Sequence, residues 1–200
     1  MDLPKGFYGI TDERFGCLES AEKLLDFGAR ILQLRCKNLT DRELLDIADR
    51  VRELTRSKGV LFIVDDRVDI ALLSGADGVH VGDKDIPPCR IRELVGNDFI
   101  IGLSTHSLED VKKAECCDYI GVGPVFPTTT KDKPHPALGV ELAKKMVDES
   151  KYPAFLIGGI GLENIEKIKG IKAWGFVSVR DVLSHDKEYF ERMLKRWNGS

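Results

Sequence analysis

Glutamine is almost missing from this chain: Gln33 is the only one in 200 residues, while Lys and Glu are abundant. Preference for charged over thermolabile side chains resembles the composition of heat-adapted proteins, and it makes the position of that single amide worth following. No apolar run approaches the roughly 18 residues of a membrane span. The start, Met-Asp-Leu-Pro-Lys, also lacks the charged and apolar regions of a signal peptide. The expectation is a cytoplasmic protein with no membrane partner. There is no basic stripe either, since the net charge is −3 with both signs interspersed; that argues against nucleic acid and leaves small, locally bound anions as the expected charged ligands. The cysteines (Cys17, Cys36, Cys89, Cys116 and Cys117) are odd in number and never spaced C-x-x-C. They predict neither a zinc site nor a disulfide framework, but reduced and mostly buried thiols.

What is present is an alternation. With 42% apolar residues the chain can bury a full core, and at this length it is expected to form one domain, residues 1–200, with no linker or low-complexity tract. Short β-branched runs at 7–12, 31–36, 61–65, 78–82, 99–103, 119–125, 154–158 and 173–179 read as strands. Helical patterns separate them. In the clearest, Leu44, Leu45, Ile47, Ala48, Val51 and Leu54 share a face, Thr40 and Glu43 form a capping box, and Gly59 ends the helix. A second starts at Ser107 with Asp110 in the box position; others fit 17–28, 68–75, 88–95, 138–149, 161–169 and 181–196. Eight strand–helix units require a parallel sheet and match a (β/α)8 barrel, a TIM barrel of minimal size, with a doubly wound open sheet as the alternative. In either, residues following the strands share one functional face. A homo-oligomer is compatible with this reading.

Those strand ends carry chemistry. Residues 62–85 contain two apolar runs, each ending in a pair of aspartates; in neighbouring parallel strands Asp65, Asp66, Asp83 and Asp85 meet at one edge, where carboxylates hold hard cations. Gln33, Arg35 and Lys37 alternate at the end of the second strand and can face the same way. Ser104 ends the fifth strand, with Ser107 as the cap beyond it. His80 and His106 read as hydrogen-bonded structural histidines, with His106 a secondary acid–base candidate. Residues 121–134 form a hydroxyl- and lysine-rich loop suited to phosphate oxygens. Gly158-Gly159 and Val179-Arg180 follow the seventh and eighth strands, where barrels commonly cradle phosphate on backbone N–H groups. Together these residues fit a diphosphate held by a divalent metal plus a separate monophosphate, with no covalent nucleophile in view.

In order along nearly the whole chain, Tyr8-Gly-Ile-Thr-Asp12, Gln33-Leu-Arg-Cys-Lys37, Asp66-Arg-Val-Asp69, Gly78-Val-His-Val-Gly82, Ser104-Thr-His-Ser107, Gly121-Val-Gly-Pro-Val-Phe-Pro-Thr128 and Ile157-Gly-Gly-Ile160 resemble the thiamine-phosphate synthase family. The resemblance implies a (β/α)8 barrel that joins 4-amino-5-hydroxymethyl-2-methylpyrimidine diphosphate to 4-methyl-5-(2-hydroxyethyl)thiazole phosphate with Mg2+ assistance, diphosphate leaving first. By position it implies Asp66 and Asp85 as Mg2+ ligands and Arg35, Lys37 and Lys131 as diphosphate contacts. Gln33 and Ser104 are implied at the pyrimidine, and Thr128, Thr130, Gly159 and the Val179-Arg180 segment at the thiazole phosphate. Three positions depart from the family pattern: Asp65 replaces an asparagine that contacts diphosphate, Asp83 a glutamine, and Arg180 a serine. The related thiazole tautomerases, implied to use a histidine at the position of His106, and a catalytically silent phosphate-binding barrel are the competing readings.

Overall fold

Eight parallel strands pair in sequence order, and the first pairs with the last, closing the sheet into a barrel. The structure is a computed structural model in which residues 3–128 and 135–199 are described. The strands are β1 (Gly6–Ile10), β2 (Ile31–Leu34), β3 (Leu61–Asp65), β4 (Gly78–Val81), β5 (Ile100–Thr105), β6 (Tyr119–Val122), β7 (Ala154–Ile157) and β8 (Gly175–Val177). The helices are α1 (Cys17–Asp26), α2 (Asp41–Lys58), α3 (Val68–Leu73), α4 (Pro88–Val95), α5 (Leu108–Lys113), α6 (Gly139–Glu149), α7 (Arg180–Ser184) and α8 (Lys187–Asn198). The barrel expected from the alternation is thus the one observed.

Alternation along the strands divides the interior into two cores. Tyr8, Ile10, Ile31, Ile63, Ile100, Tyr119, Phe155 and Val177 fill the inside of the barrel. Their outward-facing neighbours, such as Phe7, Leu32, Phe62, Val79, Ile101 and Phe176, pack under the helices. At the start of α2, Glu43 N–H donates to Thr40 and the Glu43 carboxylate accepts from the Thr40 N–H, while Gly59 closes the helix at φ 65°. The capping box is therefore present as read. Among the described residues no helix is long and apolar enough to cross a membrane.

Four local expectations need correction. Residues 161–169 form no α-helix, only a 3-10 turn at Ile165–Lys167. There Asn164 Oδ1 accepts from Gly161 N–H (3.0 Å) and Asn164 Nδ2 donates to the Gly159 carbonyl (2.8 Å), and such side-chain bonds compete with helix formation. The span 181–196 is two helices, because Asp186 accepts from Tyr189 N–H and starts α8 afresh. At α5, Ser107 caps as expected, but Asp110 accepts from His106 N–H (2.8 Å), one residue earlier than in a capping box. Finally, Cys17 is bonded to Cys36 and Cys89 to Cys116, with Cα separations of 6.4 and 4.9 Å. Each bridge joins residues 19 or 27 apart in sequence, a proximity created by the barrel and invisible to a search for short spacings. Only Cys117 is the expected buried thiol, its pKa pushed up to about 11 by burial.

Candidate active site

The four aspartates at and beyond the ends of β3 and β4 stand in different environments. Asp65, the last residue of β3, keeps its side chain 11% exposed and pairs with Lys37 Nζ (2.8 Å) and Arg35 Nε (3.5 Å). Asp66 bends away at φ 60°, a left-handed conformation that aspartate tolerates better than most residues; its N–H donates to the His80 carbonyl (2.8 Å) and its carboxylate pairs with Lys37. Asp85 Oδ2 accepts from Gly82 N–H (2.7 Å). Burial, and then the like charge of Asp66, raise the Asp85 pKa. Asp83 is exposed.

Asp66 and Asp85 thus place two carboxylates side by side, a pair of oxygen donors that could hold a divalent cation. Among the described residues there is no cluster of three or more metal-ligating side chains. Burial works against the Lys37 ammonium, but Asp65 and Asp66 beside it outweigh that and hold its pKa above the ordinary lysine value.

The cation-bearing segment after β2 is tied down on three sides. Thr11 Oγ1 accepts from Arg35 N–H (2.8 Å) and donates to the Arg35 carbonyl (3.3 Å). Glu13 accepts from the backbone N–H groups of Lys37 and Asn38 (2.9 and 3.1 Å). Between the two cations, Cys36 is bridged to Cys17 at the start of α1. Glu13 and the bridge escaped the sequence reading, since neither belongs to a recognisable local pattern.

Gln33 is buried, and both ends of its amide are used: Oε1 accepts from Tyr8 O–H (2.8 Å) and Nε2 donates to Asp65 Oδ1 (2.5 Å). Ser104 Oγ lies 2.9 Å from His80 Nε2, and His80 Nδ1 lies 3.0 Å from the Tyr119 hydroxyl. His80 thus stands in a hydrogen-bonded line, as expected, although Tyr8 and Tyr119 were not foreseen as its companions. His106 Nδ1 contacts the Gly123 carbonyl at 2.6 Å, and its ring stacks on His135 with centroids 3.8 Å apart.

All candidate residues among those described open onto two adjoining cavities. The larger, about 640 Å³, takes in Gln33, Arg35, Asp65, Ser104, Thr128, Gly159, Val179 and Arg180. The smaller, about 260 Å³, takes in Lys37, Asp66 and Asp85 and shares Arg35, Asp65 and Ser104 with the first. Thr130 and Lys131 lie outside the described residues. Gly159 adopts φ 63°, and a Cβ there would meet the Pro127 carbonyl oxygen and Phe126 at 2.5–3.0 Å. The glycine therefore lets the long loop lie against the end of β7. Beside it, Arg180 approaches Asp12 at 3.9 Å. Burial, then the charge of Arg14, lower the Arg180 pKa against the opposing pull of Asp12.

Residues 7–182 match the family model described as thiamine monophosphate synthase. A thiamine-phosphate synthase of Caldicellulosiruptor saccharolyticus is 38% identical over 197 residues, covering 96% of this chain and 89% of the relative. Another, from Caldivirga maquilingensis, is also 38% identical and covers 99% of both chains. Among solved structures, thiamine phosphate pyrophosphorylase from Pyrococcus furiosus superposes with a TM-score of 0.88 at 36% identity, covering 97% of this chain and 96% of that one.

Proposed function

The chain belongs to the thiamine monophosphate synthase family and is a transferase, and we propose that it joins 4-amino-5-hydroxymethyl-2-methylpyrimidine diphosphate to 4-methyl-5-(2-hydroxyethyl)thiazole phosphate with Mg2+ assistance. The observation that carries this reading is the meeting of Arg35 and Lys37 with Asp65, Asp66 and Asp85 where the two cavities join. That arrangement suits a diphosphate at the smaller cavity, with the organic ring and second substrate in the larger one.

Balance of the reaction needs no protein nucleophile. The bond from the pyrimidine methylene carbon to diphosphate oxygen breaks, its electron pair leaves with diphosphate, and the thiazole nitrogen lone pair forms the new C–N bond. The task of the side chains is to stabilise charge that grows on the leaving oxygens. Arg35 supplies a planar fork of donors and Lys37 a compact ammonium, with Lys131 assigned to the same duty by the family pattern. Asp66 and Asp85 would hold Mg2+, which when bound neutralises diphosphate oxygens. Gln33 and Ser104 orient the pyrimidine. Thr128, Thr130, Gly159 and the Val179-Arg180 segment receive the thiazole phosphate, where the Arg180 guanidinium adds a charged contact to backbone donors.

The test is direct: purified protein, both substrates and Mg2+, with thiamine phosphate measured by chromatography. Product formation that stops on chelation is expected. Absence of product with excess metal and both substrates would overturn the reading. Metal-independent isomerisation of a thiazole phosphate, lost in His106→Ala, would replace it with the tautomerase alternative.

A further inference from the structure

Across the floor of the larger cavity runs an unbroken chain of six polar side chains, and its protons can be placed one by one. Asp65, flanked by Lys37 and Arg35, is an acceptor, so the Gln33 amide must present Nε2 to it and Oε1 to Tyr8. Oε1 carries no proton, so the Tyr8 hydroxyl donates to it. The Tyr8 oxygen must then accept from the Tyr119 hydroxyl, 2.7 Å away. With that proton committed, the Tyr119 oxygen accepts from His80 Nδ1–H at 3.0 Å. With His80 taken as a neutral imidazole, Nε2 then accepts from Ser104 O–H at 2.9 Å.

We propose that His80, Tyr119 and Tyr8 are positioning residues that fix this single proton order, so that Ser104 offers the substrate ring acceptor lone pairs only and the site selects a ring bearing an exocyclic amine over one bearing an oxo group. This inference rests on the reading of the cavity as a pyrimidine site. Three further observations support it. Burial raises the pKa of both phenols, keeping each a donor. Phe155 meets Tyr8 and Tyr119 edge-on, at 5.3 Å and 85° and at 5.6 Å and 84°, which locks both rings. Gly102 on β5 lies beneath the junction, where any Cβ would collide with the Tyr119 phenol and His80 Nδ1. The barrel has left no side chain at the one place that would separate these two groups.

Tyr119→Phe is the incisive change, because it keeps the ring and deletes the link. His80 is then released to the Nε2–H tautomer, and the Ser104 proton turns into the cavity. The ratio of kcat/KM for 4-amino- over 4-oxo-pyrimidine diphosphate should fall by about tenfold or more, the cost of one mismatched buried polar pair, while KM for the thiazole phosphate stays unchanged. Tyr8→Phe should act likewise, by letting the Tyr119 hydroxyl turn back toward His80, and it serves if the first variant does not fold. Imidazole 15N NMR gives a readout that needs no turnover: His80 should be the neutral Nδ1–H tautomer near neutral pH in the native protein and switch in either variant. A native His80 found as imidazolium or as the Nε2–H tautomer, or an unchanged substrate ratio in a folded variant, would overturn the proposal. Absence of synthase activity in the native protein with the tautomer as stated would instead fault the substrate reading alone.

Discussion

Asp65→Asn removes one unit of charge with almost no change of shape, and its two consequences should have opposite signs. The carboxylate is 11% exposed and is met by Lys37 at 2.8 Å, Arg35 at 3.5 Å and Gln33 Nε2 at 2.5 Å. Lys37 is 40% exposed and Arg35 22%, so each ion pair is screened and contributes about 1 kcal/mol. Asparagine retains an acceptor oxygen for Gln33 but neither pair, giving a loss of about 2 kcal/mol of stability. For a chain of this size that lowers Tm by roughly 4–8 °C. A diphosphate oxygen sharing Lys37 with Asp65 would sit about 6 Å from the carboxylate. At that distance like charges repel by roughly 0.7–2.8 kcal/mol between the dielectric of water and that of a protein surface. Removing the charge should tighten inorganic diphosphate binding, measured calorimetrically with Mg2+, by about tenfold. A variant with unchanged Tm that binds diphosphate more weakly would refute the reasoning, by showing that the carboxylate's placement of Lys37 and Arg35 helps binding more than its charge opposes it.

Four other expectations follow from the structure. Cys36→Ser should cost about 3 kcal/mol in denaturant unfolding, as for a loop of this length, and raise KM for the pyrimidine diphosphate because Arg35 and Lys37 flank the bridge. Cys89→Ser should lower stability without moving KM, and equal effects on KM would remove the link to the cations. Gly102→Ala should destabilise by about 1–3 kcal/mol through overpacking against Tyr119 and His80, read as a fall in Tm; a neutral outcome would contradict the packing of the cavity floor. Burial raises the Asp12 pKa, but hydrogen bonds and charge from Arg14 outweigh it and depress the value. Its stabilisation is therefore complete above the ordinary carboxylate pKa of about 3.9 and lost as pH falls through the depressed folded value, so Asp12→Asn should flatten the acid limb of a stability–pH curve.

Strand positions were legible because inside and outside of the barrel are both apolar, which makes each β-run dense and leaves polar residues at its end. The pairs Asp65-Asp66 and Gln33-x-Arg35-x-Lys37 stood out for that reason. Position alone did not reveal that Asp65 meets both Arg35 and Lys37 while Asp66, on a left-handed backbone, reaches Lys37 and lies beside Asp85. Nor was the tyrosine pair legible. Tyr8 and Tyr119 look like ordinary core aromatics in sequence, and only the register across the barrel brings their hydroxyls together. The failed helix at 161–169 has a similar cause, since the apolar spacing was adequate but Asn164 bonded to its own loop. The cysteines were misread because disulfide partners are selected by closure of the fold.

The seam between β1 and β8 pairs Gly6 with Gly175 and Tyr8 with Val177. At Gly175 a Cβ would strike the Gly6 carbonyl and Phe155, so the last strand slides into a slot shaped by the first and seventh. On the ribosome, a growing chain holds Tyr8, Gln33 and Asp65 long before that slot can be filled. The barrel around that pocket therefore stays open between β1 and β7 until β8 has emerged, and contacts this distant in sequence are slow to form. A chain stalled before Gly175 thus carries most of the polar residues of the site, without Val179 and Arg180, on a sheet that has not closed.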